Sequence, residues 1–261
     1  MEYSEEQLQR YARHIVLPEV GGVGQTKLIK SKVLVVGAGG LGAPILLYLA
    51  AAGVGTIGVV DDDVVELSNL QRQIIHSSSR IGQAKVESAS HILKDINPEA
   101  RIITHNCRLN GENGKQLISD YDIIADGSDN FTTRFLLADI AHLTGKTLVS
   151  AAILRFEGQI STFKSHLGEP YPCYRCLFPE APADGLVPSC SEGGVLGAVA
   201  GIMGSLQAIE IIKEIIGIGE SLAGQLLLFN ALETTFSKIK LSKDPECELC
   251  GNKSRNNDFS R

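Results

Sequence analysis

The chain has no tryptophan, no block of lysine and arginine, no apolar run in its first ten residues and no internal repeat, and each absence narrows the reading. A formal net charge of −6 and a pI near 5.6, with no basic patch to offset them, argue against nucleic acid or another polyanion as the main partner. The first ten residues, MEYSEEQLQR, are acidic and polar, so no secretory signal is expected and the reading is cytoplasmic. In a reducing compartment the six cysteines, at 107, 173, 176, 190, 247 and 250, are not a disulfide framework. Charge is also missing from Val33 to Val60, a run of 28 residues, longer than a bilayer span requires. The run nevertheless holds seven glycines and Pro44, and its pattern changes midway. VLVV and TIGVV read as buried strands, and LGAPILLYLAAAG as a helix that Gly53 can cap, so no membrane span is expected. What remains is an ordinary soluble composition, 44% hydrophobic with 27 glycines.

Along the chain the pattern alternates. Ser4 and Gln7 form a capping box for a helix through SEEQLQRYARH, and GQTKLIKS is a second short helix. KVLVVG, TIGVVD, RIITHN, YDIIAD, TLVSAAI and GQISTF are strands. Helices are expected in AGGLGAPILLYLAAAG, in GQAKVESASHILKDIN and in NFTTRFLLADIAHLTG. Alternating strands and helices predict a Rossmann-like, doubly wound, mainly parallel α/β sheet. After Phe163 the rhythm breaks into a long Pro-, Gly- and Cys-rich loop, which is functional or mobile by its length. A long apolar helix, VLGAVAGIMGSLQAIEIIKEIIG, and two more strands, GQLLLFNA and TFSKIKL, follow. The helix is apolar nearly all round, which predicts core plus dimer interface. One nucleotide-binding domain is expected over 1–250, with a disordered tail over 251–261.

The first strand runs into GAGGLG, residues 37–42. Gly37 permits a tight turn, Gly39 lets backbone approach a phosphate, and Gly42 lets the helix pack close to the strand. That helix's N-terminus offers unpaired N–H groups to an anion. Asp61 closes the second strand, where a carboxylate can accept bonds from ribose hydroxyls. These features suit NAD as well as ATP. The stretch after Asp61 favours ATP, because Asn69, Gln71 and Arg72 fall just past the strand's carboxyl end and Lys85 near the next helix start. Arg and Lys there can hold a triphosphate and offset charge at a transferring phosphorus, which hydride transfer does not need. Asp126 or Asp129, in IIADGSDN, can hold Mg²⁺, or Asp129 can cap the following helix. The alternatives are an NAD-dependent oxidoreductase with a structural zinc and a nucleotide-binding module without turnover.

Cys173-x-x-Cys176 and Cys247-x-x-Cys250 form two knuckles that suit a closed, structural thiolate zinc site, ahead of a redox pair or an iron–sulfur cluster. About 70 residues separate them, so the fold must bring the chain's end back to the long loop. Cys107 ends a strand and reads as a small buried residue. Cys190 lies late in the loop, before the apolar helix, where a thiol has a lowered pKa.

In order, GAGGLG, DDDVVELSNLQRQ, GQAKVES, DGSDN, CYRC and CELC resemble the ubiquitin-activating-like adenylyltransferases that activate sulfur carriers, the MoeB/ThiF/HesA type. The resemblance spans residues 4 to 251. It implies ATP, Mg²⁺ and adenylation of the C-terminal glycine of a small ubiquitin-like sulfur carrier of the molybdopterin or thiamine pathway. It assigns ribose to Asp61, phosphates to Asn69, Arg72 and Lys85, and magnesium and catalysis to Asp129. Gly37, Gly39, Gly40, Gly42, Ser68, Leu70, Gln71 and Asn130 complete the expected nucleotide set. Arg13 is expected to reach the other ATP site of a homodimer. The resemblance also places a cysteine at Cys190, as a covalent intermediate or a dispensable loop thiol. A separate sulfurtransferase, rather than a rhodanese-like domain of this chain, is expected to supply the sulfur.

Overall fold

The computed structural model describes residues 3–183 and 193–252. The capping box predicted at the start is formed: Ser4 Oγ accepts from the Gln7 N–H and Gln7 Oε1 from the Ser4 N–H, both at 3.1 Å. It opens α1 (Glu5–Ile15), which α2 (Gly21–Lys30) follows. The alternating unit comes next: β1 (Lys32–Val36), α3 (Gly42–Ala52), β2 (Thr56–Val60), α4 (Lys85–Ile96) and β3 (Arg101–His105). The second half runs α5 (Gly114–Ser119), β4 (Ile123–Asp126), α6 (Phe131–Leu143), β5 (Thr147–Leu154) and β6 (Glu157–Phe163). A single helical turn, α7 (Tyr174–Leu177), interrupts the expected long loop, then come α8 (Gly197–Ile216), β7 (Gln225–Asn230) and β8 (Thr235–Lys240).

All eight strands join one sheet in the order β3-β2-β1-β4-β5-β6-β7-β8. β1 to β5 run parallel, and β6 to β8 attach antiparallel. The mainly parallel, doubly wound prediction with extra C-terminal strands therefore holds. Because side chains alternate along a strand, β1 feeds two cores. Val33 and Val35 pack with α3, α4 and α8, while Leu34 and Val36 pack with α5 and α6 on the other face. Burial on both faces is why the strand reads as a continuous apolar run.

Two details differ from the sequence reading. α5 was not anticipated, because its six residues, GKQLIS, are too few to show a period. α2 starts three residues early, at Gly21. The expected core face of α8 is formed by Val199, Met203 and Ile211, while Ile202 and Ile209 are exposed in the isolated chain. Gly251 and Asn252 still belong to the cysteine turn, donating to Cys247 O and Pro245 O at 2.9 Å each. The expected tail beyond them lies outside the described residues. Among the described residues, no helix is long and apolar enough to cross a membrane.

Candidate nucleotide-binding site and cysteine cage

Strand order reverses between β1 and β4, since β2 and β3 continue on one side and β5 on the other. Ligands of open α/β sheets bind outside the carboxyl ends of the strands at such a point. A solvent-open cleft of about 920 Å³ lies there. Gly37, Gly39, Gly40, Asp61, Arg72, Lys85, Asp129 and Asn130 line it, so the structure brings together eight of the residues expected at a nucleotide.

The glycine loop is fitted rather than merely flexible. Gly37 has φ +97°, and a Cβ on it would meet Gly127 O at 2.6 Å. A Cβ on Gly42 would lie 1.8 Å from Gly37 O, so only glycine lets α3 start this close to β1. Gly42 therefore backs the cleft instead of lining it. Asp61 is fixed at its rim: Oδ2 accepts from the Ala38 N–H at 2.7 Å and Oδ1 from the Asp63 N–H at 2.9 Å. Each oxygen keeps a lone pair for a hydroxyl donor. Burial raises the Asp61 pKa, against the opposing effects of the Ala38 N–H and the Lys85 charge.

The cations differ in setting. Lys85, the first residue of α4, is 5% exposed, with its Nζ 2.8 Å from Asp63 Oδ2. It is no solvated surface charge. Arg72 donates Nη1–H to Ser68 O at 3.1 Å and is half-buried. Ser68, Asn69, Leu70 and Gln71 do not line this chain's cleft. Their segment is the turn that delivers its neighbours: Asn69 O accepts from the Arg72 and Gln73 N–H groups at 3.1 and 2.9 Å. Asn69 Oδ1 is already engaged by the Glu66 N–H at 3.0 Å.

The two aspartates after β4 have separate fates. Asp126 is fully buried and accepts from the Ser128 N–H at 3.0 Å, Ser128 Oγ–H at 2.6 Å and Ser150 Oγ–H at 2.6 Å. It braces the loop. Asp129 is exposed on the cleft wall. The helix cap falls to Asn130, whose Oδ1 accepts from the Thr133 N–H at 2.9 Å, and not to Asp129. Asp129 Oδ1 accepts only a long bond, from Asn130 Nδ2 at 3.5 Å, and a carboxylate facing a phosphate cleft suits magnesium.

Arg13 lies in the last turn of α1, exposed, and does not line its own chain's cleft. Cys190 lies outside the described residues. Several lining residues went unnoticed in the sequence, among them Gln73, Arg134 and the run Cys107–Leu109. Cys107 is half-buried at the cleft rather than a small core residue. The run after β3 was accessible by rule, because loops at strand carboxyl ends line the crevice. Arg134 was too, one helical turn beyond Asn130 on the same face. Gln73 Oε1 and Arg134 Nε are buried without a hydrogen-bond partner, although both residues line the cleft. Buried polar atoms left over at a cleft are what a polar ligand can satisfy.

The four knuckle cysteines meet outside the cleft lining. Sγ separations are 3.7 Å for Cys173–Cys176 and 3.4 Å for both Cys173–Cys247 and Cys176–Cys250. Four thiolates about 2.3 Å from a tetrahedral zinc stand about 3.8 Å apart, whereas a disulfide needs about 2.05 Å. The cage therefore has the dimensions of a structural zinc site. All four ligand atoms lie within 4.8 Å of one another. α7 carries the first pair and is held to α6 by Arg175, which donates from Nε and Nη2 to the two Asp139 oxygens at 2.7 Å each.

Fold and cleft define the class first: an α/β nucleotide-binding protein whose cleft places cations and an exposed carboxylate beside a glycine loop. The chain belongs to the ThiF family, whose model matches residues 11–249. It is 47% identical over 253 residues to the sulfur carrier protein adenylyltransferase of Thermus thermophilus, covering 96% of this chain and 93% of that one. It is 51% identical over 243 residues to the probable adenylyltransferase/sulfurtransferase MoeZ of Mycobacterium tuberculosis, covering 93% of this chain but 62% of that longer one. In fold it resembles E. coli MccB solved with MccA-N7isoASN, at TM-score 0.82 and 20% identity, covering 96% of this chain and 76% of MccB.

Proposed function

We propose that the chain uses ATP to adenylate the C-terminal glycine carboxylate of a small ubiquitin-like sulfur-carrier protein, releasing pyrophosphate. The observation that carries this is the gathering of Asp61, Arg72, Lys85 and Asp129 around one glycine loop in a member of the ThiF family. Its relative in Thermus thermophilus is named for the same reaction on a sulfur carrier. An oxidoreductase would have no use for this set of cations, and nothing in the cleft favours it.

A carboxylate oxygen of the carrier attacks the α-phosphorus in line. As the new O–P bond forms, the bond from the α-phosphorus to the bridging oxygen breaks, and pyrophosphate leaves with the electron pair. The nucleophile is ionised at neutral pH, so no general base is needed. The obstacle is repulsion between two anions. Arg72 and Lys85 offset it at the phosphates, and the cleft holds the reactants in line. Asp61 accepts from the ribose hydroxyls. Asp129 holds the magnesium that ATP brings, which supplies further charge neutralisation. Asn69, with Ser68, Leu70 and Gln71, joins the phosphate contacts when nucleotide enters. The cysteine cage holds one structural zinc and takes no part in the chemistry.

The active form is a homodimer in which Arg13 serves the partner's cleft. Two facts support this: Arg13 is exposed and does not line its own cleft, and α8, which packs against α3, leaves Ile202 and Ile209 exposed in the isolated chain. The setting is cytoplasmic, with sulfur supplied by a separate sulfurtransferase. The deciding measurement is exchange of labelled pyrophosphate into ATP. It should occur with a carrier whose C-terminal glycine is intact and cease when that glycine is deleted. Exchange that is absent with carriers of both pathways would refute the reading.

A further inference from the structure

His76 lies beneath the glycine loop and is 8% exposed. Its Nε2 is 2.9 Å from Ala38 O, and its Nδ1 is 2.9 Å from Ser88 Oγ. A carbonyl oxygen only accepts, so Nε2 carries the proton and donates to Ala38. Nδ1 is then free to accept from the Ser88 hydroxyl, which is fully buried on α4. Burial holds the imidazole below its ordinary pKa, with the Lys85 and Arg80 charges acting the same way, so the neutral ring is the state at pH 7.

The consequence follows from peptide geometry. The C=O of Ala38 and the N–H of Gly39 belong to one planar trans unit and point in opposite directions. With the carbonyl held down onto His76, the Gly39 N–H is turned the other way, toward the cleft that Gly39 lines. That N–H makes no hydrogen bond among the described residues. The other side of Ala38 is fixed too, because its own N–H donates to Asp61 Oδ2 at 2.7 Å.

We propose that His76 is a positioning residue, which aims the Gly39 N–H at a phosphate of the bound nucleotide. Asp61 holds the sugar and His76 sets the phosphate donor, so the two act on different parts of one ligand through adjacent peptides. The inference rests on the nucleotide reading, and the test separates their failures.

The test is binding of ATP and, by competition, of adenosine to the whole chain. In His76→Leu, ATP should bind about 10-fold more weakly, the size of one charge-assisted hydrogen bond, while adenosine affinity stays unchanged. A merely structural role for the ring would loosen the whole loop and weaken both ligands alike. His76→Gln keeps a donor for Ala38 and an acceptor for Ser88, and should restore most of the ATP affinity. If His76→Leu does not fold, Ser88→Ala carries the test. It leaves the ring without its hydroxyl donor and should lower the ratio of ATP to adenosine affinity about 3-fold, under the cost of a full hydrogen bond. An unchanged ratio in the variants, or an equal loss for both ligands, overturns the role of His76. Failure of the unaltered protein to bind either ligand overturns the nucleotide reading itself, and this inference with it.

Discussion

The cleft and the cysteine cage differ in how complete each is. The cage closes on itself: four sulfurs from two segments about 70 residues apart reach mutual distances of 3.4–3.7 Å along the pairs measured. No position is left open, and a closed thiolate site is structural. The cleft is unfinished by the same standard. Gln73 Oε1 and Arg134 Nε are buried without partners, Asp61 has spare lone pairs, and Asp129 is exposed. A site that satisfies itself stabilises the fold, whereas a site that leaves groups unsatisfied is prepared for something else. Damage to the cage should therefore appear as lost stability, and damage to the cleft as lost chemistry at unchanged stability.

The largest effect expected is at the cage. Structural zinc can contribute on the order of 10 kcal/mol, so Cys247→Ser or chelation should unfold the segment that joins α7 to the chain's end. Metal analysis should give one zinc per chain, and molecules that remain folded should still exchange pyrophosphate. Iron, or no metal in freshly purified protein, would break the comparison on this side.

Next is Asp129→Ala. Exchange should fall beyond about 100-fold, as for a lost preorganised electrostatic partner, while the melting temperature stays within about 1 °C of the unaltered protein's. Near-normal exchange would remove Asp129 from the chemistry. Its neighbour makes the control, since Asp126 has all its bonds inside the protein and its loss should lower the melting temperature.

Arg13 sharpens the comparison because it belongs to neither site of its own chain. As a helix-end cation alone it is worth about 0.3–1 kcal/mol of stability and nothing in activity. In the partner's cleft its loss should cost about 3 kcal/mol of barrier, by analogy with a preorganised donor. Mixing Arg13→Ala chains with Asp129→Ala chains should then restore exchange, because one site of the heterodimer carries neither defect. No recovery after demonstrated subunit exchange would end the cross-subunit role.

The smallest effect is a pH dependence of stability. Burial lowers the pKa values of His76, His105, His142 and His166. As pH falls through the ordinary histidine value of about 6.5, the unfolded chain takes up protons that the folded chain does not. Stability is complete above that value and declines below it. Scans from pH 7.5 to 5.5 should show a falling melting temperature, by about 2–4 °C for each kcal/mol lost. His76→Gln should flatten part of the slope, and a slope of opposite sign would contradict the burial of these rings.

The sequence was most legible where function needs neighbours along the chain. GAGGLG after an apolar strand, Asp61 at the end of the next and DGSDN at the end of a third could all be read, because parallel strands deliver their carboxyl ends to one edge. The reading was weakest for single residues whose role depends on a partner far away. Gln73, Arg134 and His76 look like ordinary polar residues until the fold sets them under or beside the loop. The residue pattern alone did not separate Asp126 from Asp129, and only the family resemblance picked Asp129, because which one the serines capture depends on β5 bringing Ser150 alongside.

By itself, then, the amino-acid sequence determined the period of the longer elements, the glycines that only one backbone geometry explains, and the presence of two cysteine pairs. These are local properties, fixed by sterics and by the chemistry of residues a few positions apart. Tertiary structure alone decided that the two pairs form one cage, that Lys85 is buried beside the cleft, and that Ala38 is held from both sides, by Asp61 and His76. Each of those joins segments that the chain separates, and such contacts exist only once the sheet has chosen its strand order.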